Sequence, residues 1–122
     1  MSQGVPVVRI VDDDAAFRAL ARRRLALDGF EAVGEAADGV AALSAACALH
    51  PDVVLLDVQL PGADGFEVAE RLRQCGITTV VVTSVRDGED YGERLTQCGA
   101  AGFVPKAALS GTALRAAMGS GG

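Results

Sequence analysis

Five short apolar runs, each followed by a segment of helical periodicity, constrain this chain more than any other feature. The runs are PVVRIV (6–11), FEAVGEA (30–36), DVVLLD (52–57), TTVVVTS (78–84) and AGFVPK (101–106). The intervening segments are AAFRALARRRLALDG (15–29), DGVAALSAACALH (38–50), GFEVAERLRQC (65–75), a helix within GEDYGERLTQC (88–98), and ALSGTALRAAM (108–118). A strand that is apolar at every position reads as one buried on both faces, inside a parallel sheet covered by helices. Strand–helix alternation of this kind builds βαβ units. The expected fold class is α/β, a doubly wound five-stranded parallel sheet with five helices on both faces.

Local signals agree. Phe17, Leu20, Ala21 and Leu25 share one face of the first helix, and Gly29 lies beyond its end. Asp38 reads as the N-cap of the second helix. The glycine inside FEAVGEA suits an edge strand. Cys75 and Cys98 each precede a glycine, in ERLRQCG (70–76) and ERLTQCG (93–99). Both segments read as helix ends closed by a glycine, with cysteine as a small hydrophobe. With Cys47 the cysteines make an odd count without metal-ligand spacing, and a redox role is the weaker alternative.

The 122 residues are enough for one domain, expected over 5–118, with a flexible tail at 119–122. Half are apolar and only 4% aromatic, so the core must be aliphatic. A net charge of −5 argues against a nucleic-acid backbone or an anionic membrane as the main partner. No apolar stretch of 18 residues is present, and MSQGVPVV lacks the pattern of a secretory signal, so a cytoplasmic location is expected. Arg22, Arg23 and Arg24 read as a solvated face, and His50 as a loop residue. No glycine-rich phosphate-binding motif occurs.

Chemistry collects at the strand ends. In open α/β sheets, ligands bind outside the carboxyl ends of the strands. Here the first run ends in Asp12, Asp13 and Asp14, the third in Asp57, the fourth in Thr83 and Ser84, and the fifth in Lys106. A bare Asp57 would be costly as a mere part of its apolar strand, and Pro61, Gly62 and Gly65 mark the turn after it. If the first and third strands are neighbours, Asp12 and Asp13 face Asp57 across one crevice. Carboxylates so placed repel one another unless a cation joins them, and oxygen ligands with retained water suit Mg²⁺. Asp14 reads as the cap of the first helix. A metal, a carboxylate, a hydroxyl and an ammonium together are the parts of phosphoryl transfer. Asp57 is the nucleophile, Mg²⁺ and Lys106 neutralise charge, and Thr83 donates a hydrogen bond.

Four motifs, VDDD (11–14), LLDVQLPGADG (55–65), VVVTS (80–84) and FVPK (103–106), occur in this order. In them the chain resembles, over about residues 6–118, the receiver domain of bacterial two-component response regulators, in its single-domain form. The resemblance implies a flavodoxin-like sheet of order 2-1-3-4-5. It places the phosphoacceptor on Asp57, the metal pair on Asp12 and Asp13, the hydroxyl on Thr83 and the lysine on Lys106. It also implies that the backbone carbonyl of Gln59 completes the metal shell and that Phe103, with Thr83, responds to phosphorylation. Val85 and Gln59 are expected to line the access path to the phosphoryl group. The implied partners are a sensor histidine kinase or phosphotransfer protein as donor, a downstream protein effector, and a phosphorylation-dependent homodimer. Direct nucleic-acid or membrane binding by this domain is not expected.

The chain departs from the family pattern at one position. Family members commonly have proline after the lysine, often in a cis peptide, where this chain has Ala107. A non-proline cis bond costs roughly 3 kcal/mol, so a trans peptide and a different loop are expected. KAAL resembles the branch that carries helix-turn-helix output, so a receiver cut from a longer DNA-binding regulator is the main alternative. A Mg²⁺-dependent aspartyl-phosphate phosphohydrolase would usually carry a second aspartate where this chain has Gln59. A phosphorylation-independent interaction module would tend to lose acidic or lysine positions, and none is lost. The expectation is a signalling domain that catalyses its own phosphorylation and dephosphorylation, and not an enzyme for external substrates.

Overall fold

Five strands form one parallel sheet in the computed structural model, which describes residues 6–36, 51–60, 64–77, 79–85 and 91–119. They are β1 (Val7–Val11), β2 (Glu31–Ala36), β3 (Val53–Asp57), β4 (Val80–Ser84) and β5 (Gly102–Pro105), in the order β2-β1-β3-β4-β5. Sheet, order and parallel pairing are those expected. The glycine-containing strand β2 is at one edge, and its register against β1 slips between Val8 and Arg9, just where Gly34 comes opposite Arg9.

Alternation along the central strands divides the core into two. Val54 and Leu56 of β3, with Val80 and Val82 of β4, pack with Phe66, Val68, Ala69 and Leu72. Val53, Leu55 and Val81 point the other way, to Phe17, Ala21, Leu25 and Leu114. Each such aliphatic side chain, fully buried, contributes roughly 1.5–3 kcal/mol. The sheet is therefore covered on both faces.

Helix α1 (Ala15–Leu27) starts where Asp14 Oδ1 accepts from Ala16 N (2.9 Å) and Phe17 N (3.3 Å), the cap expected of Asp14. It ends at Asp28, followed by Gly29 at φ +93°. Helix α2 (Gly65–Gln74) is capped by Asp64, which accepts from Phe66 N at 2.9 Å. Helix α3 (Arg94–Gln97) is a single turn. Helix α4 (Gly111–Met118) is capped by Ser110 Oγ, 3.0 Å from Ala113 N.

The expectation of five helices needs correction. Among the described residues only α1, α2 and α4 exceed one turn. The helix expected within 88–98 is the short α3, which follows Gly92 at a left-handed φ of +57° that a helix excludes. The segment 38–50, with Asp38, Cys47 and His50, lies outside the described residues, as do Pro61, Gly62 and tail residues 120–122. Of the two cysteines that precede a glycine, Cys98 is free and buried and Cys75 packs half-buried against the core, as small hydrophobes at the helix ends.

Gly65 fixes the path of the chain beyond β3. A Cβ there would fall 2.3 Å from Val58 Cα, so only glycine lets α2 begin against the backbone that leaves Asp57. Gly65 N donates to Val58 O at 3.2 Å, tying that backbone down.

Candidate functional site

Register brings the polar strand ends together. Val11 pairs with Leu56, Asp57 with Thr83, and Thr83 with Val104. Asp12 and Asp13 therefore leave β1 beside Asp57, and Lys106 follows β5 in a 3₁₀ turn, Lys106–Ala108. Among the described residues Asp12, Asp13 and Asp57 each offer a carboxylate oxygen within 4.8 Å of the others. Asp12 and Asp57 are buried, at 0% and 3% exposure, and Asp13 is exposed to solvent.

Each oxygen has a distinct neighbourhood. Asp57 Oδ1 accepts from Gln59 N at 2.9 Å, and Asp57 Oδ2 accepts from Lys106 Nζ at 3.2 Å. Asp12 Oδ1 accepts from Asp14 N at 2.8 Å. Asp12 Oδ2 lies 2.7 Å from Lys106 Nζ as an ion pair, yet it is buried without a donor at hydrogen-bonding angle. Three carboxylate oxygens of two buried acids and one exposed acid fit a hard divalent cation that keeps water on its open side. The residues thus fit Mg²⁺. The part expected of the Gln59 carbonyl rests on resemblance alone; its N–H holds Asp57.

The electrostatics match. Burial pushes the Asp12 carboxyl above its ordinary value, and the charge of Asp57 adds to this, while Lys106 and the Asp14 amide pull it back. Burial would lower the Lys106 ammonium, but Asp12 and Asp57 outweigh it and hold the group above its ordinary value.

Thr83, buried at the end of β4, donates to Val104 O at 2.6 Å. The hydroxyl is thereby engaged by β5. Next to it, Ser84 Oγ and the Tyr91 hydroxyl share a 2.5 Å hydrogen bond. The Tyr91 ring packs 5.4 Å from Phe66 and 6.1 Å from Phe103, centroid to centroid. Phe103 is half-buried on β5. Val85 is 75% exposed and shares an open groove with Phe17, Leu20, Lys106 and Ala107. The peptide after Lys106 is trans, as expected with Ala107 in place of proline. Two contacts carry no signal in the sequence: the Ser84–Tyr91 bond, and the Phe17 ring beneath the Lys106 ammonium, 4.5 Å from its centroid.

The sequence model of the response regulator receiver domain matches residues 8–118. The chain belongs to the response regulator receiver family. This receiver is 42% identical over 103 residues to the probable transcriptional regulatory protein NarL of Mycobacterium tuberculosis, covering 81% of this chain and 48% of that protein. It is 38% identical over 100 residues to the response regulator MprA of Mycobacterium sp. (strain KMS), covering 81% of this chain and 43% of that one. The receiver therefore spans less than half the length of these relatives. Among solved structures, the signal receiver domain of the M. tuberculosis NarL matches with a TM-score of 0.82 at 37% identity, covering 97% of this chain and 99% of that one. The response regulator domain of Thermotoga maritima CheB matches with a TM-score of 0.76 at 28% identity, covering 93% and 88%.

The acidic cluster of this receiver makes a direct prediction. Asp13→Asn removes the exposed carboxylate from a site with few protein ligands. Mg²⁺ affinity, followed by titration, is expected to fall at least about tenfold, or ~1.4 kcal/mol. The metal-free variant should be no less stable than the wild type, because like-charge repulsion is relieved. Unchanged Mg²⁺ titration would remove Asp13 from the ligand set.

Proposed function

We propose that this receiver takes a phosphoryl group from a phosphohistidine onto Asp57 and thereby switches an output surface. The observation that carries the reading is the fixed Asp57 carboxylate, with Gln59 N at one oxygen, Lys106 at the other, and Asp12 and Asp13 alongside. In the transfer, the phosphorus–nitrogen bond of the donor breaks as an Asp57 oxygen bonds to phosphorus, and the imidazole leaves with the electron pair. Bound by Asp12, Asp13, Asp57 and the Gln59 carbonyl, Mg²⁺ would neutralise charge on the transferring group. Lys106 adds a second cation at the same place. Val85 and Gln59 flank the way in for water and so influence how long the signal lasts. Donor and acceptor meet in the cytoplasm, the donor being a sensor histidine kinase or phosphotransfer protein. The domain acts on itself and on protein partners, not on external substrates.

Switching follows from Thr83. To reach a phosphoryl oxygen it must give up Val104 O, which frees space beside β5 for Phe103 to move inward. The parts that move are the chain just after Thr83, the helix near Tyr91, and Phe103, and the output is a protein effector or a second copy of the receiver. A second reading has specific support. The chain covers under half of relatives that include a probable transcriptional regulatory protein, so it also fits as the receiver part of a longer DNA-binding regulator.

Amide exchange with beryllofluoride, a phosphoryl mimic, and Mg²⁺ tests the switch. Protection across residues 84–106 is expected to change on adding the mimic. Phe103→Ala should be phosphorylated by small donors nearly as well as wild type, while phosphorylation-dependent binding or dimerisation weakens. Unaltered exchange in 84–106 contradicts the switch. So does a Phe103→Ala variant whose only defect is lost stability, which for a half-buried ring should be about 3 kcal/mol or less.

A further inference from the structure

We propose that Phe17 is a positioning residue for Lys106, the face of its ring holding the ammonium in the crevice beside Asp12 and Asp57. This deepens the proposed function, on which it rests, by assigning a residue that reads as plain core in the sequence. Lys106 Nζ is 4.5 Å from the Phe17 ring centroid, inside the ~6 Å reach of cation–π attraction. Phe17 is 7% exposed and the Lys106 side chain 14%, so little water competes. Such attraction strengthens as water is excluded.

The ring is held where the contact needs it. Asp14 takes the amides of Ala16 and Phe17 at the start of α1, and is itself tied to Asp12 through its own amide. The ring packs into the core with Leu25 and Val104, and lines the groove that also holds Lys106. The two acids draw the ammonium from the sheet side, and the ring supports it from the α1 side. An aliphatic residue here would strip water from the ammonium and return nothing. The aromatic face returns part of that solvation. When Asp57 becomes an acyl phosphate, its own carboxylate charge is lost, and Asp12 and the ring are the neighbours of Lys106 whose chemistry stays the same.

The test uses the intact chain with graded fluorination at Phe17, which drains the ring's negative face at nearly constant shape, alongside Phe17→Leu and Phe17→Tyr. One readout needs no phosphoryl chemistry: the proton shifts of the Lys106 ε-methylene in the apo protein. They are expected upfield in wild type and Phe17→Tyr, and at ordinary values in Phe17→Leu. The other is beryllofluoride affinity with Mg²⁺, expected to fall stepwise along the fluorinated series, about fivefold by the trifluoro ring and in Phe17→Leu, and to be retained in Phe17→Tyr. Thermal unfolding of the fluorinated proteins should stay near wild type. Absence of the upfield shift overturns the proposal, as does affinity that is flat along the series or as high in Phe17→Leu as in Phe17→Tyr. If the mimic fails to bind wild type, the phosphoacceptor reading fails; the methylene shift then decides for or against the Phe17 contact by itself.

Discussion

Lys106→Met is expected to lose about 3 kcal/mol of stability in metal-free buffer near neutral pH, the low end of the cost of leaving a buried ion pair half-made. Methionine keeps most of the volume and apolar length of lysine, so lost packing should be small. The loss comes from charge. Lys106 Nζ is 2.7 Å from Asp12 and 3.2 Å from Asp57, and without it two buried carboxylates face each other unaided. The pH dependence has a definite sign. Burial already raises the Asp12 carboxyl above 3.8, so its protonated form is favoured in the fold. Its contribution to stability is complete below 3.8 and is lost as pH rises through the raised value. Lys106, raised above 10.5, contributes fully below that value and loses its contribution as pH climbs beyond it. The deficit of the variant should therefore be largest near neutrality and shrink on acidification. Millimolar-range Mg²⁺ should recover part of it, because a cation bound only by the folded state stabilises that state. Urea titrations with and without Mg²⁺, at neutral and acid pH, measure this. A deficit that is the same at both pH values and indifferent to Mg²⁺ would mean that Lys106 serves packing alone.

Legibility in the sequence differs from residue to residue, for physical reasons. Val53 to Leu56 announce a strand buried on both faces, and the two halves of the core fall on alternate residues of it. Once the sheet is parallel, every strand ends on the same side. The clustering of Asp12, Asp13, Asp57 and Lys106 then follows from where each run stops. Contacts that depend on rotamers and on which helix crosses which strand end are not legible. Thr83 reads as a donor for the site, yet its hydroxyl is spent on Val104 O. Phe17 sits at a core position of α1 by periodicity, and nothing in spacing reveals that one face of its ring meets an ammonium. Gly92 does carry a warning that the helix after β4 is short, since glycine inside a helical pattern weakens it by roughly 1 kcal/mol.

Asp57 is the proposed phosphoryl acceptor of this receiver. Asp57→Asn keeps the size and shape of the side chain but removes the nucleophilic oxygen charge. It also lifts repulsion with Asp12, so the variant should fold as well as wild type. Intact mass spectrometry after incubation with a small phosphodonor and Mg²⁺ reads the result directly. The wild-type chain is expected to gain the mass of one phosphoryl group, and to gain none when Mg²⁺ is removed by a chelator. The folded Asp57→Asn chain is expected to gain none under any of these conditions, and labelling of that variant as full as in wild type would contradict the assignment of the acceptor.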